Sequence, residues 1–161
     1  MPLPDTIQEQ VDQAIGHGFD GMIVYVDQAG KPPEFYTGGW KDRENKLPAH
    51  HKSLFKIASI SKLYTAVAAT KLVKEKRLSF NKTLADYLPE LRNRIENAEK
   101  ITLRMMIQHR SGIPNFTDNP AYWENEQENG KNALDFALDL PATFKPNGGY
   151  KYSNTNYLLL R

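Results

Sequence analysis

Residues 59–75, SISKLYTAVAATKLVKE, limit what this chain can fold into more than any other stretch. Ile60, Leu63, Tyr64, Val67 and Ala68 recur at helical spacing, and TAVAAT is apolar on nearly every side. A helix of that kind sits inside a protein, so something must cover it. The chain makes a second demand of the same sort at its end. Leu158, Leu159 and Leu160 fall in a helix that starts near Ser153 or Asn154 and has run about two turns when Arg161 is reached. Few strands are on offer to meet these demands. GMIVYVD (21–27) is a short β-branched run without strict alternation, which reads as a strand covered on both faces. QAGKPP supplies a turn, EFYTGGW (34–40) returns as the second strand of a hairpin, and SLFKIAS is extended. This is fewer than a typical sheet. The expectation is that the 161 residues are a piece of a larger fold.

The remaining elements read as follows. Residues 5–17 form an amphipathic helix capped by Asp5, with Ile7, Val11, Ala14 and Ile15 on one face. KDRENKLPAHH is a polar loop. ITLRMMIQHRSG is a short helix with Thr102 as cap and Gly112 as stop, and residues 132–140 form another with Asn132 as cap. ATFKPNGGYKYSN is a loop rich in turn residues.

Bulk properties exclude more than they assign. A chain of 161 residues has one domain's length and needs no disulfide or metal to hold a core. Its net charge of +2 names no partner. The basic stretch KLVKEKRLSFNK reads as cations at a helix C-terminus facing water, and no nucleic acid is expected. The absence of cysteine removes disulfides and thiolate metal sites. His17, His50, His51 and His109 lack metal-ligand spacing, so no metal is expected, and no organic cofactor is implied. No segment has the length of a membrane helix, and MPLPDTIQEQ lacks the basic and apolar regions of a signal peptide.

Three Ser-x-x-Lys matches are candidates for chemistry: Ser53 with Lys56, Ser59 with Lys62, and Ser79 with Lys82. Residues three apart on a helix share a face. At a helix start the backbone N–H groups are unpaired and the dipole favours developing negative charge. An ammonium drawn out of water loses its proton more easily, so a lysine one turn on can serve as base to a serine. Ser59 fits best, where an extended run meets the apolar helix. Ser53 precedes an extended segment, and Ser79 follows the helix in a solvated turn. On the tetrapeptide alone, a helix cap with Lys62 reaching to the surface remains the plainer reading.

Tyr152-Ser153-Asn154 is the sole Tyr-x-Asn in the chain, and it too stands at a helix start, after a glycine-rich bend. A phenol and an amide presented together suit a site that moves protons and grips a substrate amide. A core tyrosine beside an asparagine cap is the alternative.

Taken in order, GMIVYVDQAGKPPEFYTGGW, LFKIASISKLYTAVAATKLVKEKRLSFNKTLADYLPEL, ITLRMMIQHRSGI and FKPNGGYKYSNTNYLLL give the chain a family likeness from about residue 20 onward. It resembles the serine beta-lactamase-like superfamily, closest to the class C beta-lactamase, DD-peptidase and esterase-like hydrolases. The resemblance implies an α+β fold, an antiparallel sheet flanked by helices plus a helical subdomain. Residues 1–161 would be the N-terminal part of one such domain, about 1–58 carrying a helix and the first strands and about 59–161 the nucleophile helix and helical subdomain. It implies Ser59 as the nucleophile that forms an acyl-enzyme, Lys62 as a group that helps take its proton, and Tyr152 as general base or acid. Asn154 would bind the substrate's amide or support Lys62, and the Ser59 backbone N–H would be one oxyanion donor. The Tyr-Ser-Asn triplet stands where class A enzymes carry Ser-Asp-Asn, which points to the class C-like branch. The family's third motif, a Lys-Thr-Gly or His-x-Gly element on a late strand, is absent. Asn147 stands where glycine usually follows Pro146, and Arg161 where glycine commonly follows the leucines.

The implied partner is a small-molecule or peptide substrate carrying an amide, β-lactam or ester, and the implied compartment is a bacterial envelope. Two rivals stand beside this reading. One is a non-catalytic penicillin-binding or sensor-like relative. The other makes these residues one piece of a split or proteolysed chain, inactive without a C-terminal segment as a separate partner. Among other residues, His109 reads as a structural helix-end residue and Tyr122 and Trp123 as packing or surface residues. Asp118 and the acidic run WENEQEN at 123–129 read as facing water.

Overall fold

A threonine, rather than the expected Asp5, starts the first helix. In the computed structural model, which describes residues 4–124 and 132–161, α1 spans Ile7–Gly16 with Thr6 as its N-cap. The Thr6 hydroxyl accepts from the Glu9 N–H at 3.2 Å, and the Glu9 carboxylate accepts from the Thr6 N–H at 3.1 Å. That reciprocal box satisfies two otherwise unpaired donors. Gln8, the residue three beyond Asp5, is engaged elsewhere, donating to Asp12 Oδ1 and to the Thr37 carbonyl.

The chain is α+β and forms two compact units, Met1–Lys56 and Ile57–Arg161. In the first, strands β1 (Gly21–Val26), β2 (Glu34–Asp42) and β3 (Leu47–Pro48) make an antiparallel sheet in that order. Gly21 faces Gly39 and Tyr25 faces Phe35 across the β1–β2 ladder. Glycine at 38 lets α1 approach the sheet: a Cβ there would stand 2.8 Å from Val11 Cγ1 and 3.0 Å from Ile15 Cγ1. Strand β3 lies inside the stretch read as a polar loop. Two paired residues suffice, secured by the Ala49 N–H on the Gly39 carbonyl at 2.9 Å. Strand β1 is half-exposed in this unit rather than covered on both faces, and its Tyr25 ring lies 5.0 Å from Phe35.

The second unit holds α2 (Ser61–Lys74), α3 (Leu84–Tyr87), α4 (Leu103–Ile107), α5 (Pro120–Glu124) and α6 (Asn154–Leu159). Its core gathers Leu84, Ile95, Ile101, Leu103, Met106 and Ile113 among others. The starts of α3 and α4 lie side by side, joined by a bridge between Thr83 and Thr102. Each threonine also caps its own helix, Thr83 accepting from the Asp86 N–H and Thr102 from the Met105 N–H. Helix α3 is a single turn, too short to leave a periodic signal in the sequence.

Two expectations need correction here. Helix α4 stops at Ile107, well before Gly112, because His109 itself turns left-handed with φ of 55°. Gly112 instead permits a close approach, since a Cβ on it would stand 2.1 Å from the Phe144 carbonyl oxygen. The helix expected over 132–140 is a 3₁₀ turn, Ala133–Phe136, though Asn132 does cap it. The run is broken at Asp139, which is left-handed and held there by the Arg94 guanidinium at 2.7 Å. Helix α2 begins at Ser61 behind a 3₁₀ turn over Ala58–Ile60, and on its apolar face Leu63 is 67%, Tyr64 68% and Val67 59% exposed in this chain, the residues for which the sequence demands cover. A helix apolar all round can bury only the side that meets its own unit, here through Ala69 and Val73. Leu159 and Leu160 find partial cover against the core. The acidic run at 123–129 lies largely outside the described residues.

Candidate active site

Ser59 lies in the middle of the 3₁₀ turn that runs into α2. The turn opens on Ala58, a non-glycine residue in the left-handed region at φ 42°. The Ser61 hydroxyl closes it by donating to the Ala58 carbonyl. Ser59 is exposed, and Lys62, in the first turn of α2, is half-buried. The three-residue spacing brings them together: Lys62 Nζ donates to Ser59 Oγ at 3.1 Å.

The other half of the site comes from the start of α6. Tyr152 Oη lies 2.9 Å from Ser59 Oγ, although the two residues are 93 apart in the chain. Asn154 Oδ1 accepts from Lys62 Nζ at 2.8 Å and from Tyr152 Oη at 3.3 Å. One hydroxyl, one amine, one phenol and one amide oxygen therefore form a closed set. Burial pushes the Tyr152 phenol up, but hydrogen bonds with Lys62 and Ser59 and the Lys62 charge outweigh it, so its pKa falls below the usual phenol value.

A buried polar lattice fixes this helix start. Ser153, Thr155 and Asn156 are all buried. Thr155 Oγ1 donates to the Pro114 carbonyl at 2.6 Å and accepts from the Phe116 N–H at 3.0 Å. Ser111 Oγ donates to Asn156 Oδ1 at 2.6 Å. Asn115 Oδ1 accepts from the Asn154 backbone N–H at 2.9 Å and from its side-chain amide at 3.3 Å. Thr117 Oγ1 takes the Asn154 amide as well, at 3.2 Å. Among the described residues no buried side-chain polar atom lacks a partner, as folding stability demands.

Nothing in the sequence around Asn115 and Thr117 marks them as site residues. They meet Asn154 across nearly forty residues, and no local pattern marks such a contact. Ser53 and Ser79 have local partners instead. Ser53 Oγ accepts from the His50 N–H and Ser79 Oγ from the Asn81 N–H, while Lys82 Nζ lies 5.9 Å from the centre of the Tyr87 ring. Tyr122 packs against Phe116 and Phe136, and Trp123 donates its indole N–H to the Thr117 carbonyl. Asp118 is exposed and pairs with Lys151 at 3.1 Å. Asn147 is left-handed at φ 62° and is held by the Arg110 guanidinium on its side-chain oxygen at 2.7 Å. No group of His, Asp or Glu among the described residues could hold a metal ion, and none of the helices described is long and apolar enough to cross a membrane.

The Beta-lactamase family model matches residues 4–161. This chain belongs to the Beta-lactamase family. Relatives of this beta-lactamase-family chain include a hydrolase of known structure, the D-amino acid amidase from Ochrobactrum anthropi SV3. It is 27% identical with a TM-score of 0.74 over 96% of this chain and 42% of its own. The penicillin binding protein from Bacillus halodurans is 26% identical with a TM-score of 0.71, covering 84% of this chain and 43% of its own. Among curated proteins, Protein flp of Staphylococcus aureus (strain N315) is 27% identical over 164 residues, which is 98% of this chain and 33% of that protein. The chain thus spans about a third of the length of the curated relatives it matches.

Proposed function

We propose that this protein is a serine hydrolase that works through an acyl-enzyme at Ser59, on an amide, β-lactam or ester. The observation that carries the reading is the approach of Tyr152 Oη to Ser59 Oγ, 2.9 Å, with Lys62 Nζ at 3.1 Å from the same oxygen. Residues so far apart in the chain meet there with the donors and acceptors that an activated nucleophile needs. Likeness to an amidase and a penicillin binding protein supports the substrate class. Both compact units belong, in this reading, to one beta-lactamase-like domain.

The steps follow from the groups present. Ser59 Oγ attacks the substrate carbonyl carbon, and its proton passes to the oxygen of Tyr152 in its ionised form, which the hydrogen bonds from Lys62 and Ser59 and the Lys62 charge favour. Lys62 holds the serine oxygen and the phenol in one electrostatic frame. Negative charge growing on the carbonyl oxygen is met by the Ser59 backbone N–H at the start of the helical run. Tyr152 then returns the proton to the leaving amine or alcohol as that bond breaks, leaving the acyl group on Ser59. Water attacks the acyl carbon and gives a proton to Tyr152, which passes it to Ser59 Oγ as the acyl–oxygen bond breaks and the acid leaves.

Asn154 supports Lys62 in this arrangement. Its oxygen takes Lys62 and Tyr152, and its amide donates to Asn115 and Thr117. Binding a substrate amide through Asn154, the other role expected of it, requires one of those bonds to open.

The test is to treat the protein with a fluorophosphonate or a penicillin-type acylating probe and map the adduct by peptide mass spectrometry. Label on Ser59 is expected. Label on Ser53 or Ser79, or a folded protein that takes none, rejects the reading.

A further inference from the structure

His109 touches Tyr152 and its neighbours in three ways. Its carbonyl oxygen accepts from the Lys151 N–H at 3.1 Å. Its Nδ1 accepts from the Ser153 N–H at 3.2 Å. Between these two attachments its ring stacks on the Tyr152 ring, 4.6 Å between centres and 29° between planes. The left-handed backbone of His109 lets its carbonyl and its ring both meet the same three residues. We infer that His109 is a positioning residue for Tyr152: the neutral imidazole, with its lone pair on Nδ1, clamps residues 151–153 and backs the phenol that faces Ser59. The inference rests on the hydrolase reading above and adds to it a residue that never touches substrate.

The clamp works in one protonation state. An N–H donor directed at Nδ1 needs a lone pair there, so the proton of the neutral ring lies on Nε2. The groups facing the ring are the Tyr150, Tyr152 and Tyr157 rings, the Asn156 amide at 3.4 Å from Nδ1, and Lys62. No carboxylate is among these groups. Burial, and then the Lys62 charge, hold the His109 pKa below the ordinary histidine value. Protonation would set Nδ1–H against the Ser153 N–H and an imidazolium against the Lys62 ammonium. The clamp is therefore whole at neutral pH and lost as pH falls through the lowered pKa.

Two measurements decide this. The first is a long-range ¹H–¹⁵N spectrum of the imidazoles, which reads the tautomer directly. His109 is expected as the neutral Nε2–H form, and a resonance pattern of Nδ1–H overturns the clamp. The second is the rate at which a fluorophosphonate labels Ser59 in wild type, H109A and H109N, from about pH 5 to about pH 8, with a thermal melt of each variant. H109A is expected to label about 100-fold more slowly, the scale of an ångström-sized misplacement of a reacting group. Asparagine accepts the left-handed backbone and offers an oxygen to the Ser153 N–H. H109N should thus recover part of the rate and show a shallower acid-side fall than wild type, since only the Tyr152 contribution remains. Folded H109A that labels at the wild-type rate with the wild-type pH profile overturns the inference. If wild type takes no label at all, the hydrolase reading fails by itself. The imidazole tautomer, and a shift of the Tyr152 ring protons in folded H109A, then still confirm or refute the positioning role.

Discussion

At the start of α6 three buried side chains, Ser153, Thr155 and Asn156, bond to the segment from Ser111 to Phe116, and Asn115 holds the first helical residue by backbone and side chain. At the start of α2 the neighbours of Ser59 are a strained alanine and a single serine–carbonyl bond, and the helix that follows shows its apolar residues to solvent. The two helix starts contribute equally to the site but are secured differently. Tyr152 and Asn154 are fixed by polar groups that leave water only because each finds a partner. Ser59 and Lys62 are fixed by local helical geometry and by the bonds that Lys62 makes to Ser59 and Asn154. The difference teaches that the site's precision on one side is built far from the chemistry, and on the other side within it.

The largest effect should come from breaking the contact that joins the halves. Tyr152→Phe removes the phenol oxygen and keeps a ring to stack on His109. Acylation of Ser59 should fall by about 10²–10⁴-fold, the usual worth of a positioned proton-transfer group. The melting temperature should barely move, because the lattice beneath is untouched. Labelling kinetics beside a thermal melt check both. An unchanged rate would mean that the 2.9 Å contact carries no proton.

How much of this could be read in the residues depends on the range over which each feature is written. The Ser59–Lys62 pair is three residues long, and helical spacing alone brings its members together. The Tyr152–Asn154 pair is equally local, and its helix start was marked by the glycine-rich bend. The strands over 21–26 and 34–42 announced themselves by β-branched runs and turn residues. What stayed hidden is long-range or small. Asn115 and Thr117 look like ordinary loop residues until Asn154 arrives. The single turn of α3 and the two residues of β3 are shorter than any period that could reveal them. His109 was legible as a helix end, and its ring's place against Tyr152 was not, since no local rule links residues 109 and 152. The exposure of α2 fits the demand for cover read from its apolar pattern, in a chain that spans about a third of the length of its curated relatives.

A middle-sized effect sharpens the account of the α6 side. Thr155→Val keeps the shape of the side chain and deletes a hydroxyl that donates to Pro114 and accepts from Phe116. Thr155 is 0% exposed; without its hydroxyl the Phe116 N–H loses its partner, and the Pro114 carbonyl keeps only the 3.3 Å bond from Ser153 Oγ. The loss should be about 1–3 kcal/mol, seen as a drop of several degrees in the thermal melt. Labelling of Ser59 should slow as well, because Tyr152 loses its footing. A neutral Thr155→Val would mean that the lattice fills space without holding the helix start.

The smallest effect belongs to the α2 side and tests the contrast from below. Leu63 stands on the bare face, 67% exposed, one residue beyond Lys62. A buried leucine cut to alanine costs about 2–5 kcal/mol through lost contacts and the cavity left behind. Leu63→Ala should instead stay within about 0.5 kcal/mol, the range of surface substitutions, because most of its side chain already lies in water. Leu84→Ala, at a position with 0% exposure in the same unit, supplies the comparison and should show the full core penalty. Paired thermal melts of the two variants decide the matter. A core-sized loss at Leu63 would mean that the α2 face is covered in solution, and the two helix starts would then be secured more alike than their hydrogen bonds imply.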